Sequence, residues 1–306
     1  MRGVISLQAD YDERKLVPIA ERRDMSGRFE SRAHPLLEPY VRAYWGLVRD
    51  RMKAPFAVTP DCFVELIVFA ESPLVRVDGH AWRLPRCFVI PLLDKPLELI
   101  MDCPIRCAAI RFHGSSAAFI NSAEDGSGID ATPCFLPPPV FDDVVPVVIN
   151  ALNRGAWADI VATFDRTLVE RLAALRLDDA ARQMANAFFE APYNTSAAMQ
   201  EVARRLGRSR RQIERRVRAL VKRSPRQLSG LARFQFVRDT LWSQPLFELD
   251  DLALEAGYSD QAHLSREFRR YAGTTPAAFR RHSRNRSFSG TKADVAFFQD
   301  ARDEKD

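Results

Sequence analysis

Residues 202–209 have the sequence Val-Ala-Arg-Arg-Leu-Gly-Arg-Ser, and residues 252–259 have the sequence Leu-Ala-Leu-Glu-Ala-Gly-Tyr-Ser. A matching apolar pattern follows each stretch and ends at Leu228 in the first copy and at Phe279 in the second. The offset is 50 residues up to the glycine and 51 after it, so one residue has been added near the second turn. Each copy contains an apolar helix, a turn with glycine, a Ser or Asp cap and an amphipathic helix. This order predicts two helix-turn-helix units.

An apolar stripe at helical spacing lies between the two units. It consists of Leu228, Leu231, Phe234, Val237 and Leu241. We expect a linker helix over about 225–242, which is about 27 Å long at 1.5 Å per residue. That length is close to one turn of B-DNA, about 34 Å. The spacing predicts that one chain places two recognition helices in successive major grooves.

Positive charge is concentrated in this part of the chain. Residues 195–287 contain 20 Lys/Arg against 9 Asp/Glu, and the remainder contains 25 against 31, although the whole chain carries only +5. An isolated cluster of charge is often only a solvated helix face. Because the excess coincides with a repeated helix-turn-helix, we expect most of these cations to neutralise DNA phosphates and make binding salt-dependent.

The apolar pattern also predicts which side chains point outward. Gly207 suits a turn with positive φ, and Ser209 can cap the next helix. The first recognition helix leaves outward Arg210, Arg211, Glu214, Arg215 and Arg218. The side chains of the second recognition helix that face solvent or DNA are Asp260, Gln261, Ala262, His263, Arg266 and Arg270. Arginine favours the guanine edge and glutamine the adenine edge in the major groove.

The composition, 46% hydrophobic and 28% charged, is typical of a soluble globular protein, and 306 residues fit two domains. No apolar run approaches the roughly 18 residues of a membrane span, and the first residues lack the apolar core of a signal peptide. We therefore expect a cytoplasmic, nucleoid-associated protein without a membrane partner.

Short β-branched and aromatic runs separated by Pro and Asp-Gly dominate the first 137 residues. They predict strands at 56–61, 63–69, 74–77, 86–91, 97–101 and 108–112. Their spacing favours an antiparallel sandwich or barrel. The stretch Pro35–Trp45 suits either a helix or an edge strand. The fold class is therefore α+β, with a β-rich domain over 1–137 that precedes helical segments.

The apolar period changes to that of helices in residues 138–193. One stripe contains Ile160, Phe164, Leu168, Leu172 and Leu175, and a second helix is predicted over 178–189. The stripe serves either its own domain's core or another subunit, so we treat 138–193 as a helical linker and candidate dimerisation segment. The DNA-binding domain follows over 194–284, with helix-turn-helix units at about 197–220 and 248–271, and a tail over 285–306.

Two motifs carry a resemblance to a known family. Residues 257–268 have the sequence Gly-Tyr-Ser-Asp-Gln-Ala-His-Leu-Ser-Arg-Glu-Phe and precede Gly-Thr-Thr-Pro at 273–276, and residues 209–216 have the sequence Ser-Arg-Arg-Gln-Ile-Glu-Arg-Arg. The C-terminal hundred residues thereby resemble the AraC/XylS-type transcription regulators, whose paired helix-turn-helices are joined by a linker helix. Lys222 departs from this pattern, since the family has a glycine there, matching Gly273. It suggests a different turn or a phosphate contact.

The resemblance implies which positions contact bases. They are Arg211, Glu214 and Arg215 in the first helix, and Gln261, Ala262, His263 and Arg266 in the second. Each has the alternative of a surface or salt-bridge residue. That alternative is strongest for Glu214, which can pair with Arg210 or Arg218.

The N-terminal part resembles the effector-like domain of one branch of the same family. The residues that carry this resemblance are 34–35, 44–45, 60–61, 65–67 and 110–112, together with 295–300 in the tail. The resemblance implies binding of a small-molecule effector or dimerisation, in a monomer or homodimer. RNA polymerase is a candidate partner of an activator or repressor of this kind.

Five cysteines suggest a second hypothesis, a DNA-tethered redox, alkylation or metal sensor. They are Cys62, Cys87, Cys103, Cys107 and Cys134. Only one pair has metal-like spacing, and Cys103 and Cys107 fall on one face of a strand, where buried thiols are common. His34, His80 and His113 are scattered, and Arg111 can balance Asp61 or Glu65. We predict no catalytic residues, no metal site, no cofactor and no enzymatic activity.

Overall fold

The computed structural model describes residues 27–49, 56–77, 80–101, 104–119, 141–174, 179–190, 195–285 and 297–299. Its strands are β1 (Gly27–Ser31), β2 (Val41–Arg49), β3 (Phe56–Val58), β4 (Phe63–Phe69), β5 (Leu74–Val77), β6 (His80–Arg83), β7 (Cys87–Ile90), β8 (Leu97–Met101), β9 (Ile105–His113) and β10 (Phe297–Gln299). Each predicted segment contains a strand, although the one predicted over 56–61 ends at Val58.

The strands make two antiparallel sheets, with orders β1-β2-β9-β4-β7 and β10-β3-β8-β5-β6. Alternation gives the first sheet two buried faces. Trp45, Ile67 and Phe88 cluster with Val58 of the second sheet on one side. Leu66 and its neighbours pack on helices on the other. The α+β expectation and the antiparallel sheets are confirmed.

The stretch Pro35–Trp45 divides between two structures. A 3-10 helix spans Pro35–Leu37, and His34 caps it by accepting the backbone N–H of Leu36 at Nδ1 (3.2 Å). Strand β2 then begins at Val41 and lies between β1 and β9. The edge-strand expectation is therefore wrong, because β2 pairs with β1 on one side and with β9 on the other.

The helices are α1 (Val145–Arg154), α2 (Trp157–Ala174), α3 (Asp179–Glu190), α4 (Thr195–Leu206), α5 (Arg210–Val221), α6 (Pro225–Ser243), α7 (Leu249–Glu255), α8 (Gln261–Ala272) and α9 (Pro276–Asn285). No helix among the described residues combines the length and apolar character needed to cross a membrane.

The stripe on α2 lies in the core of its own chain. Ile160, Phe164 and Leu168 are at most 1% exposed, and Phe164 packs against Tyr44 with ring centroids 5.3 Å apart. Leu175 lies outside the described residues. Of the two interpretations of this stripe, the core contact is the one observed.

Helix α3 packs on α4, α5 and α6. Its buried side chains are Met184, Ala185 and Phe188, and the carbonyl of Phe188 accepts the hydroxyl of Ser229 on α6 (3.4 Å). A segment that sequence places in the linker thus supports the C-terminal helices.

A buried ion pair lies within the first sheet. Arg111 contacts Glu65 at 2.5 Å, and the indole N–H of Trp45 donates to the same carboxylate at 3.2 Å. The predicted balance between Arg111 and a nearby acid is confirmed for Glu65. Asp61 accepts the backbone N–H of Phe63 (3.0 Å), and burial raises the pKa of Asp61 to about 6.

The described cysteines, Cys62, Cys87 and Cys107, are free thiols. Cys103 and Cys134 lie outside the described residues, so the predicted shared face of Cys103 and Cys107 stays a prediction. Among the described residues, His, Cys, Asp and Glu side chains form no group of three that would hold a metal ion.

Candidate nucleic-acid interface

The first helix-turn-helix consists of α4, a turn at Gly207 and α5. Gly207 has φ +59°, which a side chain rarely adopts. Ser209 accepts the backbone N–H of Gln212 at 3.4 Å, and Gln212 accepts the backbone N–H of Ser209 at 2.9 Å. This capping box pairs two backbone N–H groups at the start of the helix. The expected cap at Ser209 is therefore confirmed.

One face of α5 is buried and the other is exposed. Ile213, Val217 and Val221 are buried against the core. The exposed residues include Arg210, Arg211, Arg215 and Arg218, whereas Glu214 is half-buried. Arg210 donates its Nε to Glu214 Oε1 at 3.0 Å, so the intramolecular pairing expected for Glu214 forms in the free protein.

The second helix-turn-helix consists of α7, a longer turn and α8. Gly257 has φ +73°, and Tyr258 and Ser259 follow before the cap Asp260. In the first unit only Arg208 separates Gly207 from its cap, so the added residue lies in this turn. Asp260 accepts the backbone N–H of His263 at 2.6 Å, and this bond holds the pKa of Asp260 below its usual value.

His263 is held in place by its neighbours on α8 and in the turn. Its Nδ1 lies 3.3 Å from Ser259 Oγ, and its Nε2 lies 3.8 Å from Glu267 Oε2. The ring of Tyr258 meets the imidazole edge-on, with centroids 5.2 Å apart. The imidazole is thus oriented before any ligand arrives, although 43% of the side chain is exposed.

Both recognition helices end in the same backbone conformation. Lys222 caps α5 at φ +54°, and Gly273 caps α8 at φ +70°. The different turn expected at Lys222 is therefore wrong: the lysine adopts the left-handed conformation that glycine adopts in the second copy. Among the described residues, it is the one non-glycine position with positive φ. The expected phosphate contact of Lys222 stays a prediction.

A cleft of about 1170 Å³ lies between the recognition helices. Seven arginines and two glutamates line it, so its surface is strongly positive. The predicted DNA-binding residues among them are Arg210, Arg211, Glu214, Arg215, Arg218, His263 and Arg270. Gln261, Ala262 and Arg266 lie outside this lining, and all three are exposed on α8.

Helix α6 forms the floor between the two units. It has 19 residues and is therefore about 28 Å long. Phe234 contacts the rings of Phe268 and Tyr271 at 5.1 and 5.0 Å. Gly230 permits this close approach, because a Cβ there would lie 3.0 Å from Glu267 Oε1.

Some cations of the basic region serve the protein itself. Arg238 on α6 is 3% exposed and donates to Thr59 Oγ1 and to the carbonyl of Pro60. Arg223 is 6% exposed and pairs with Asp94, and Arg233 pairs with Glu267. These three arginines are exceptions to the expectation that most cations of this region neutralise DNA phosphates. The position of Arg238 within the apolar stripe of α6 was the available sign of burial.

Residues 202–282 match a protein-family model described as a helix-turn-helix domain. The match identifies the C-terminal region as a helix-turn-helix domain of the AraC type, the module of DNA-binding transcription regulators. No curated protein matches the chain.

Several solved structures are similar. A crystal structure of ToxT from Vibrio cholerae O395 is 11% identical, with 79% of this chain and 99% of that chain covered and a TM-score of 0.44. The P21 form of ToxT from Vibrio cholerae is 9% identical, with 78% and 97% covered and a TM-score of 0.43. The C-terminal domain of AraT, a response regulator from Geobacillus stearothermophilus, is 21% identical, with 35% and 88% covered and a TM-score of 0.32.

Proposed function

We propose that the chain is a sequence-specific transcription regulator that binds double-stranded DNA with α5 and α8 in successive major grooves. The observation that carries this proposal is the arginine-lined cleft between two capped recognition helices. Phosphates of the DNA segment between the two grooves would face this cleft. Each neutralised phosphate releases counterions, so the affinity should fall steeply with salt.

The exposed residues of the two helices divide between phosphates and bases. Arg211 and Arg215 on α5 and Arg266 on α8 present guanidinium groups suited to guanine O6 and N7. Gln261 suits adenine, and Ala262 suits a thymine methyl group. Arg210, Arg218 and Arg270 would contact phosphates.

The N-terminal domain would supply effector binding or dimerisation, and the regulator acts as a monomer or homodimer in the cytoplasm, on nucleoid DNA. A conformational change in this domain could reach α6 through the hydrogen bonds that join residues 59–62 to that helix. Gln235 Oε1 accepts the backbone N–H of Cys62 at 2.8 Å, next to the contacts of Arg238. Whether the regulator activates or represses depends on where its site lies relative to RNA polymerase.

Two of the described cysteines, Cys62 and Cys87, are poor candidates for a thiol-based sensor. Burial raises the pKa of Cys87 to about 12 and that of Cys62 well above its ordinary value, so neither is a ready thiolate. A variant with all five cysteines replaced separates the two hypotheses. The sensor hypothesis requires that this variant bind DNA but lose a response to oxidant or alkylating agent.

Selection from random duplexes tests the proposed function. The full chain should enrich a motif with two conserved segments whose centres lie about 10 base pairs apart. Enrichment of no sequence over the starting pool would contradict the proposal.

A further inference from the structure

One loop of the N-terminal domain contacts the ends of both recognition helices. This loop, residues 91–96, connects β7 to β8. Arg223 immediately follows the cap of α5, and its Nε lies 3.2 Å from Asp94 Oδ1. The same guanidinium donates to the backbone carbonyl of Leu92. Since Arg223 is buried, these contacts fix the end of α5 on the loop.

The other end of the loop reaches α8. A Cβ added at Gly273, the cap of α8, would lie only 3.3 Å from Cγ of Pro96. The negative charge of Asp94 also influences Tyr271, which lies in the last turn of α8. Burial raises the pKa of Tyr271 to about 12, and the charges of Glu267 and Asp94 act in the same direction.

Lys222 and Gly273 are equivalent positions of the sequence repeat, and the loop contacts Arg223, next to Lys222, and Gly273 itself. The loop therefore lies at the C-terminal end of the recognition helix in both copies. Apart from this loop, the recognition helices of the two helix-turn-helix units pack on different elements. Helix α8 packs on α6 through Phe234, whereas α5 packs mainly on α3, α4 and the 3-10 helix Gly114–Phe119 of the N-terminal domain. The loop therefore ties together two units that share little direct packing.

We propose that loop 91–96, through Asp94 and Pro96, is a positioning element that fixes the separation of α5 and α8 and thereby the spacing of DNA segments the chain accepts. The inference rests on the proposed function. One inserted base pair moves a half-site by about 3.4 Å and rotates it by about 34° around the duplex. If the loop fixes the separation of α5 and α8, the two helices cannot both reach segments that have moved in this way. If only α6 joins them, their separation can change to match the altered DNA.

The test uses the full chain and three duplexes. One is the best sequence selected by the wild-type chain, and the others have one base pair inserted or deleted between the two segments. We define the spacing ratio as the Kd for an altered duplex divided by that for the selected duplex. The variant Asp94→Ala/Pro96→Ala should lower the spacing ratio about fivefold relative to wild type, as expected for loss of one partly buried ion pair.

Lys95→Ala is the matched control, because Lys95 is an exposed residue of the same loop. It should change all three Kd values together and leave the spacing ratio unchanged. Asp94→Asn, which keeps an oxygen at Oδ1, should give an intermediate ratio and serves if the double variant unfolds. Thermal unfolding of each variant checks the fold.

Equal spacing ratios in wild type, Asp94→Asn and the double variant would overturn the positioning role while leaving DNA binding intact. A wild-type chain that enriches no sequence would instead overturn the proposed function, and the spacing claim with it.

Discussion

Replacing Lys222 by glycine should stabilise the protein. Lys222 has φ +54°, a left-handed conformation that costs a residue with a Cβ about 1–2 kcal/mol. Glycine avoids this strain but adds about 0.5–1 kcal/mol of backbone entropy to lose on folding. The net gain in the free energy of unfolding for Lys222→Gly should therefore be about 0.5–1 kcal/mol, or about 2 °C in Tm.

Two further variants separate backbone strain from the loss of the lysine side chain. Lys222→Ala removes the charge but keeps the Cβ, so it should give no gain. Gly273→Ala makes the reverse change in the second copy, where φ is +70° and an added Cβ would lie 3.3 Å from Pro96. The same strain and entropy terms predict a cost of about 0.5–1 kcal/mol, and the close contact with Pro96 adds to it. Urea unfolding of all three measures these differences. A Lys222→Gly chain no more stable than Lys222→Ala would refute the argument from backbone strain.

Two other changes have expected outcomes. Burial raises the pKa of Asp61 from 3.8 to about 6 in the folded chain, so the wild type loses stability as pH rises from about 4 through 6. Asp61→Asn cannot ionise, so it should be about 2–3 kcal/mol more stable than wild type near pH 7.5 and lose this gain near pH 4. A difference in urea unfolding that does not change with pH would contradict this expectation. Arg218→Ala removes a proposed phosphate contact and should reduce the slope of log K against log salt by about 1. Gln261→Ala removes a proposed base contact, so it should leave the slope unchanged and reduce sequence discrimination. Equal slopes for the two variants would contradict this division between phosphate and base contacts.

Features fixed by neighbours in sequence could be predicted. The glycine turns at Gly207 and Gly257, the cap Ser209 and the α6 stripe all depend on residues a few positions apart, and each is found in the structure. The strands followed from runs of β-branched residues for the same reason. The pairing of Arg210 with Glu214 is likewise one helical turn long.

Features that depend on contacts between residues far apart in sequence could not be predicted. Arg223 and Arg238 resemble any other cation of a basic domain, and only the fold brings Asp94 and Pro60 to them. Lys222 shows a related limit. A lysine predicts a right-handed residue, but Lys222 adopts the left-handed conformation and donates its backbone N–H to the carbonyl of Arg218.

Methylation interference at guanine N7 tests most directly whether one chain uses both recognition helices in successive major grooves. The wild-type chain should give two sites of interference about one helical turn apart, roughly 10 base pairs. Arg215→Ala should abolish one site and leave the other, and Arg266→Ala should do the reverse. A single site, or loss of both sites in either variant, would contradict the account.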